Sequence, residues 1–138
     1  MDHVHGPLAH PARIMNPLPH EKFEALVREA IGALPQEFLS RLDNVDIVVE
    51  DDPTPEQLQH NGVGPEDTLY GLYEGIPLTQ RQYYSMVMPD RIFIFKRPLE
   101  DVSDTIEDLT DNVQTTVVHE IAHFFGISDE TLEEMGLG

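Results

Sequence analysis

A short segment near the end of the sequence has the residue types and the spacing that metal-assisted hydrolysis requires. The segment reads HEIAHFFGISD and contains His119, Glu120, His123, Gly126 and Asp129. Residues four apart on a helix lie one turn apart on the same face, so His119 and His123 can bind one metal ion together. Glu120 lies at the border of that face, where it can reach a water on the metal without being a ligand. The pattern therefore predicts two metal ligands and a general base.

The third ligand is predicted from the turn after the second histidine. Gly126 can adopt a left-handed backbone conformation, which ends the helix and turns the chain back towards the metal. Asp129 then follows as the third ligand. An aspartate here is also a natural helix N-cap, a role that Ser128 can share, and Glu133 and Glu134 are then the alternative ligands.

The donor set favours zinc. The chain contains no cysteine, which excludes disulfides and thiolate sites and leaves histidine and carboxylate as the strong ligands. Two imidazoles and one carboxylate leave a fourth position for water, which is typical of a catalytic zinc site. Such a water ionises near neutral pH, and Glu120 would accept its proton and pass it to a leaving amine. Nitrogen and oxygen ligands also accept other divalent ions.

Amphipathic patterns predict the helices that position these residues. One helix follows Pro19 and ends between Gly32 and Pro35, where a short helical turn begins. The last long helix begins near Ser103 and ends at Gly126. An apolar stripe on this helix lies opposite the histidines and is predicted to be buried. Its members are Ile106, Leu109, Val113, Val117, Ile121 and Phe124.

Segments rich in β-branched and aromatic residues predict a small sheet. They begin at Val45 (VDIVVE) and extend over Leu69–Tyr73 and Arg91–Phe95 (RIFIF). Between the first two, Thr54 and Gln57 have the spacing of a capping box around a brief helical turn. Three strands imply a small sheet.

Length and proline content predict the domain organisation. A chain of 138 residues has room for a single core, and we predict one catalytic domain over residues 19–138. Residues 1–18 are rich in proline and histidine without apolar periodicity, which predicts a flexible N-terminal tail. Residues 75–90 are polar and interrupted by proline, and such a loop beside a strand often lines a cleft.

The charge of the chain restricts its partners. A formal charge of −18, from 26 acidic against 8 basic residues, would repel nucleic acid and anionic membranes. The charge either serves solubility or attracts basic peptide segments to an acidic cleft. No apolar run approaches the length of a membrane span, and the N-terminus lacks a signal-peptide pattern, so we predict a cytoplasmic protein.

The quoted motif resembles the extended zinc signature HExxHxxGxx(H/D) of the metzincin clan of metallopeptidases, with Asp129 at its last position. The whole chain is similar to a family of minimal bacterial zincin-like metallopeptidases. That similarity rests on GLYEGIPLTQ (Gly71–Gln80), on PDRIFIFKRPLE (Pro89–Glu100) and on a zinc helix near the C-terminus.

The resemblance implies an α+β zincin-like single domain, in which a small mixed sheet packs against an N-terminal helix and the C-terminal zinc-binding helix. It implies a zinc peptidase that cleaves peptides or proteins, with Arg91–Phe95 as an edge strand along which a substrate aligns. The competing hypothesis is a non-catalytic zinc-binding module whose site serves folding or partner recognition.

Overall fold

The fold is seen in a computed structural model that describes residues 3–7, 15–42, 45–75 and 90–134, without the side chains of residues 3, 129, 132 and 133. Strands and helices are numbered here in chain order. They are β1 (His3–Pro7), α1 (His20–Gly32), α2 (Gln36–Leu39), β2 (Val45–Glu50), α3 (Pro55–His60), β3 (Asp67–Glu74), β4 (Asp90–Phe95), α4 (Lys96–Asp101), α5 (Ile106–Phe125) and α6 (Asp129–Glu134).

The four strands form one mixed sheet in the order β1-β3-β4-β2. β2 and β4 are parallel, whereas β3 is antiparallel to both β4 and β1. The α+β class with a small mixed sheet is therefore confirmed. The predicted edge strand Arg91–Phe95 is wrong, because β4 lies between β2 and β3 and both of its edges are paired.

The sheet buries apolar side chains on both of its faces. Successive residues of a strand point to opposite faces, so Ile92 and Ile94 of β4 face the main core, while Phe93 and Phe95 face a second, smaller cluster. The main core also receives one face of α1 and one face of α5. The sheet and α1 thus hold α5, the helix that carries the histidines.

The predicted helices are present, with local differences at their ends. The predicted capping box forms at α3, where the backbone amide of Gln57 donates to Thr54 Oγ1 and the amide of Thr54 donates to Gln57 Oε1. Ile106, predicted to be buried, is 49% exposed, because α5 begins only there and Thr105 caps it. No helix in the described ranges is long and apolar enough to cross a membrane.

The structure differs from the sequence prediction at the N-terminus. Residues 1–18 are predicted to be a flexible tail, but His3–Pro7 form β1 and pair with β3. Met15 is also buried against the main core. Backbone pairing does not require apolar periodicity, so the composition of this segment gave no sign of a strand. The boundary between a tail and a catalytic domain stays a prediction.

Glu100 of α4 forms a buried ion pair within its helix and ties that helix to the segment before α1. Lys96 Nζ lies 3.1 Å from Glu100 Oε1, and the backbone amide of Leu18 donates to Glu100 Oε2 at 2.8 Å. The side chain of Glu100 is 1% exposed. Both carboxylate oxygens therefore have partners, and Glu100 has a structural role.

We expect Glu100→Ala to lower the free energy of unfolding by about 3–5 kcal/mol, because it leaves the Lys96 ammonium buried without its counter-charge. Urea denaturation measures the change. Glu29→Ala, at an exposed position of α1, is the matched control and should change stability by less than about 0.5 kcal/mol. Equal stability of the two variants would contradict the structural role of Glu100.

Candidate metal centre

The helix that carries both histidines ends in a Schellman motif. Gly126 has a φ of 71° and a ψ of 27°, a left-handed conformation that favours glycine. The amide of Gly126 donates to the carbonyl of His123 at 3.0 Å, and the amide of Ile127 donates to the carbonyl of Ala122 at 2.9 Å. The predicted left-handed turn after the second histidine is confirmed.

His119 and His123 are both partly buried near the C-terminal end of α5. Apart from Ile106, the residues predicted to face the core from this helix, among them Val113, Val117 and Ile121, are buried. The imidazole of His123 is 13% exposed, and its Nδ1 atom lies 3.7 Å from Glu120 Oε1. Neither of these two buried atoms has a hydrogen-bond partner among the described residues.

Glu120 has no exposed surface, which the sequence did not predict. Its Oε2 atom accepts a hydrogen bond from the backbone amide of Val4 at 2.8 Å, and a backbone hydrogen bond also comes from Tyr73. Burial raises the pKa of the Glu120 carboxyl, while the neighbouring His123 and the two backbone hydrogen bonds oppose that rise. The carboxylate is therefore enclosed by α5, β3 and β1.

Gly71 of β3 allows the sheet to approach Glu120 closely. A Cβ atom at this position would lie 2.5 Å from Thr116 Cγ2, 3.1 Å from Glu120 Cγ and 3.3 Å from Glu120 Oε2. Contacts shorter than 3.0 Å force a neighbour to move. A glycine inside a strand pattern signals a close approach of this kind, but this role of Gly71 was not among the sequence predictions.

We expect Gly71→Ala to destabilise the protein by about 1–3 kcal/mol through overpacking against α5. Thr116→Ser removes the methyl group that the new side chain would contact most closely and keeps the hydroxyl that donates to the Asn112 carbonyl. The double variant should therefore recover part of the loss in thermal unfolding. Additive losses in the double variant would show that the Thr116 methyl group is not the obstacle.

Part of the predicted ligand set lies outside the described residues. α6 begins at Asp129, and Ser128 Oγ accepts a hydrogen bond from the amide of Thr131 at 3.2 Å. Ser128 therefore caps this helix. The side chains of Asp129 and Glu133 are not described, nor are residues 76–89 of the predicted cleft loop. Among the side chains that are described, no group of three histidines or carboxylates could hold a metal ion.

The two histidines and the carboxylate that the structure does describe suit a zinc site in their chemistry. Two partly buried imidazoles on one helix can bind zinc as neutral nitrogen ligands. His123 Nδ1 lacks a hydrogen-bond partner among the described residues. A buried polar atom of this kind normally has a partner, so the site has capacity for a further polar group or ion.

A family model described as zincin-like metallopeptidase matches residues 42–138. The chain belongs to this family. The matched region of this zincin-like protein, residues 42–138, contains β2, β3, β4 and α5, whereas β1 and α1 lie outside it. No curated protein matches the chain. A solved structure of a conserved hypothetical protein from Thermo thermophilus is 21% identical, with a TM-score of 0.48, and the match covers 86% of this zincin-like chain and 97% of the other.

Proposed function

We propose that the protein is a zinc-dependent peptidase. In this proposal His119 and His123 bind the zinc ion, Asp129 is the third ligand and Glu120 is the general base. The observation that supports it most is that Glu120 Oε1, which has no hydrogen-bond partner among the described residues, lies 3.7 Å from His123 Nδ1 one helical turn away, in a chain of the zincin-like metallopeptidase family. A carboxylate is rarely buried without a role, because its desolvation is costly.

The groups of the chain itself supply proton transfer and orientation. Zinc, when bound, lowers the pKa of a water molecule and polarises a carbonyl oxygen. Glu120 accepts a proton from the attacking water at Oε1 and returns it to the leaving nitrogen, since Oε2 is held by the Val4 amide. Glu120 and His123 lie one turn apart on α5, so the helix fixes the carboxylate relative to the imidazole.

A peptide or protein is the proposed substrate, and the cytoplasm is the proposed location. The net charge of −18 argues against nucleic acid and anionic membranes as partners. A peptide backbone has the carbonyl that zinc polarises and the nitrogen that Glu120 protonates.

The alternative proposal is a zinc-binding module without catalytic activity. One observation favours it: the Val4 amide bonds to Glu120 Oε2, and the carboxylate has no exposed surface. A general base must come within hydrogen-bond reach of the proton that it takes. Metal binding alone does not separate the two proposals, because both require it.

Digestion of a complex peptide mixture by the full chain tests the peptidase proposal. One sample is loaded with zinc, a second is stripped with a chelator, and a third is stripped and then reloaded. We expect new peptide termini in the first and third samples only, as read by mass spectrometry. Stoichiometric zinc without any new termini would support the zinc-binding module.

A further inference from the structure

The edge of β3 beside the candidate metal centre is occupied by the chain's own N-terminal strand. β1 pairs antiparallel with β3, and Val4 lies opposite Gly71 in the register. Gly71 is the residue that lies directly against Glu120. The Val4 amide donates to Glu120 Oε2 at 2.8 Å. An extended backbone therefore crosses the site at the position of the general base.

Backbone contacts hold β1 in this place. None of residues 4–7 is buried: Val4 and Gly6 are partly exposed, and His5 and Pro7 are exposed. Its backbone pairs with β3, donates from the Val4 amide to Glu120 Oε2, and accepts from the Tyr70 hydroxyl at the Pro7 carbonyl at 2.9 Å. The register is also irregular between Val4 and His5.

Backbone pairing of this kind is available to any extended peptide. A strand added to a sheet edge gains main-chain hydrogen bonds irrespective of its sequence. A second peptide could use the same edge of β3 once β1 leaves, and the edge would then place it over Glu120. The edge of β3 is therefore a binding site for an extended peptide that β1 already fills.

We propose that β1 is an autoinhibitory segment that occupies the substrate edge of β3 and covers Glu120. This inference rests on the proposed peptidase function. Displacement of β1 opens the edge to a peptide and exposes the general base. Because β1 belongs to the same chain, its effective concentration is of the order of millimolar, and it excludes a weakly bound peptide present at a lower concentration.

Two substitutions at Val4 in the full chain test the proposal. Val4→Pro removes the amide that bonds to Glu120, whereas Val4→Ala keeps it and shortens only a partly buried side chain. The probe is a fluorescently labelled synthetic peptide of residues 1–10, MDHVHGPLAH, and fluorescence anisotropy measures its binding. We expect the Val4→Pro chain to bind the probe at least tenfold more tightly than the Val4→Ala and wild-type chains do. The zinc-loaded Val4→Pro chain should also cleave peptides faster.

A covalent lock provides a second test that does not depend on the Val4 variants. Pro7 and Asp67 are register partners of β1 and β3, a separation that suits a disulfide. The natural chain has no cysteine, so Pro7→Cys with Asp67→Cys forms one defined crosslink. We expect the oxidised chain to reject the probe peptide even at saturating concentration and the reduced chain to bind it.

Probe binding and peptide cleavage test this inference and the proposed function separately. Probe binding that rises with Val4→Pro and is blocked by the crosslink supports an occupied edge, even if no variant cleaves a peptide. Equal probe binding by the oxidised and reduced chains would overturn the inference. If both chains cleave peptides and do so at the same rate, the inference is overturned and the peptidase proposal stays intact.

Discussion

Replacement of Glu120 by glutamine is expected to lower the rate of peptide cleavage by about 10²–10⁴-fold, the usual contribution of a general base. Glutamine has nearly the same shape and can still accept the hydrogen bond from the Val4 amide. It cannot take a proton from water. Because Glu120 is not one of the predicted ligands, bound zinc should remain stoichiometric. The measurement is kcat/KM on a reporter peptide beside the zinc content of each sample.

The same substitution should make the metal-free protein more stable. Wild-type Glu120 buries a carboxylate whose Oε1 has no hydrogen-bond partner among the described residues, and such a group costs about 1–3 kcal/mol. Glutamine carries no charge and can donate to His123 Nδ1, so Tm in the presence of a chelator should rise by several degrees. Glu107→Gln, at an exposed position of the same helix, is the control. Wild-type cleavage by the Glu120→Gln chain would exclude Glu120 as the base.

Removal of either histidine should weaken zinc binding by about 100-fold or more, since loss of a residue that only orients a ligand already costs 10–100-fold. His119→Ala and His123→Ala are compared by isothermal titration calorimetry with His60→Ala, which removes an exposed histidine at the end of α3. The last variant should bind zinc as the wild type does. Unchanged zinc affinity of His119→Ala and His123→Ala would exclude these two histidines as metal ligands.

The same titration identifies the third ligand. Asp129→Ala should weaken zinc binding strongly, whereas Glu133→Ala and Glu134→Ala should not. Ser128 caps α6 by accepting a hydrogen bond from Thr131, so Asp129 is not needed for that role, and its loss should affect the metal more than the helix. A larger effect of Glu133→Ala would assign the third position to that residue.

The sequence predicted those parts of the fold that follow from local patterns. The bounds of α1, the strand at Val45, the capping box at α3 and the left-handed Gly126 all depend on residues near one another in the chain. The relative positions of His119, Glu120 and His123 in the last turns of α5 were predictable for the same reason, because residue spacing determines position on a helix.

Pairing between strands that are distant in the sequence could not be predicted from local patterns. The position of β4 inside the sheet depends on which strands lie on either side of it, and the segment RIFIF reads alike for an edge and an interior strand. β1 has a single β-branched residue, Val4, and pairs with residues that lie sixty or more positions away. The complete burial of Glu120 depends on the same distant strand and was missed for the same reason.

The order of the strands also bears on association between copies of the chain. Unpaired strand edges are templates for aggregation, and proteins protect them with charges, proline and short strands. The outer edge strand β2 carries the exposed Asp46 and Glu50, and the short β1 ends at Pro7, which lacks an amide hydrogen. A molecule in which β1 has left β3 exposes a new, less protected edge, and the charge of −18 then opposes edge-to-edge pairing of two such molecules.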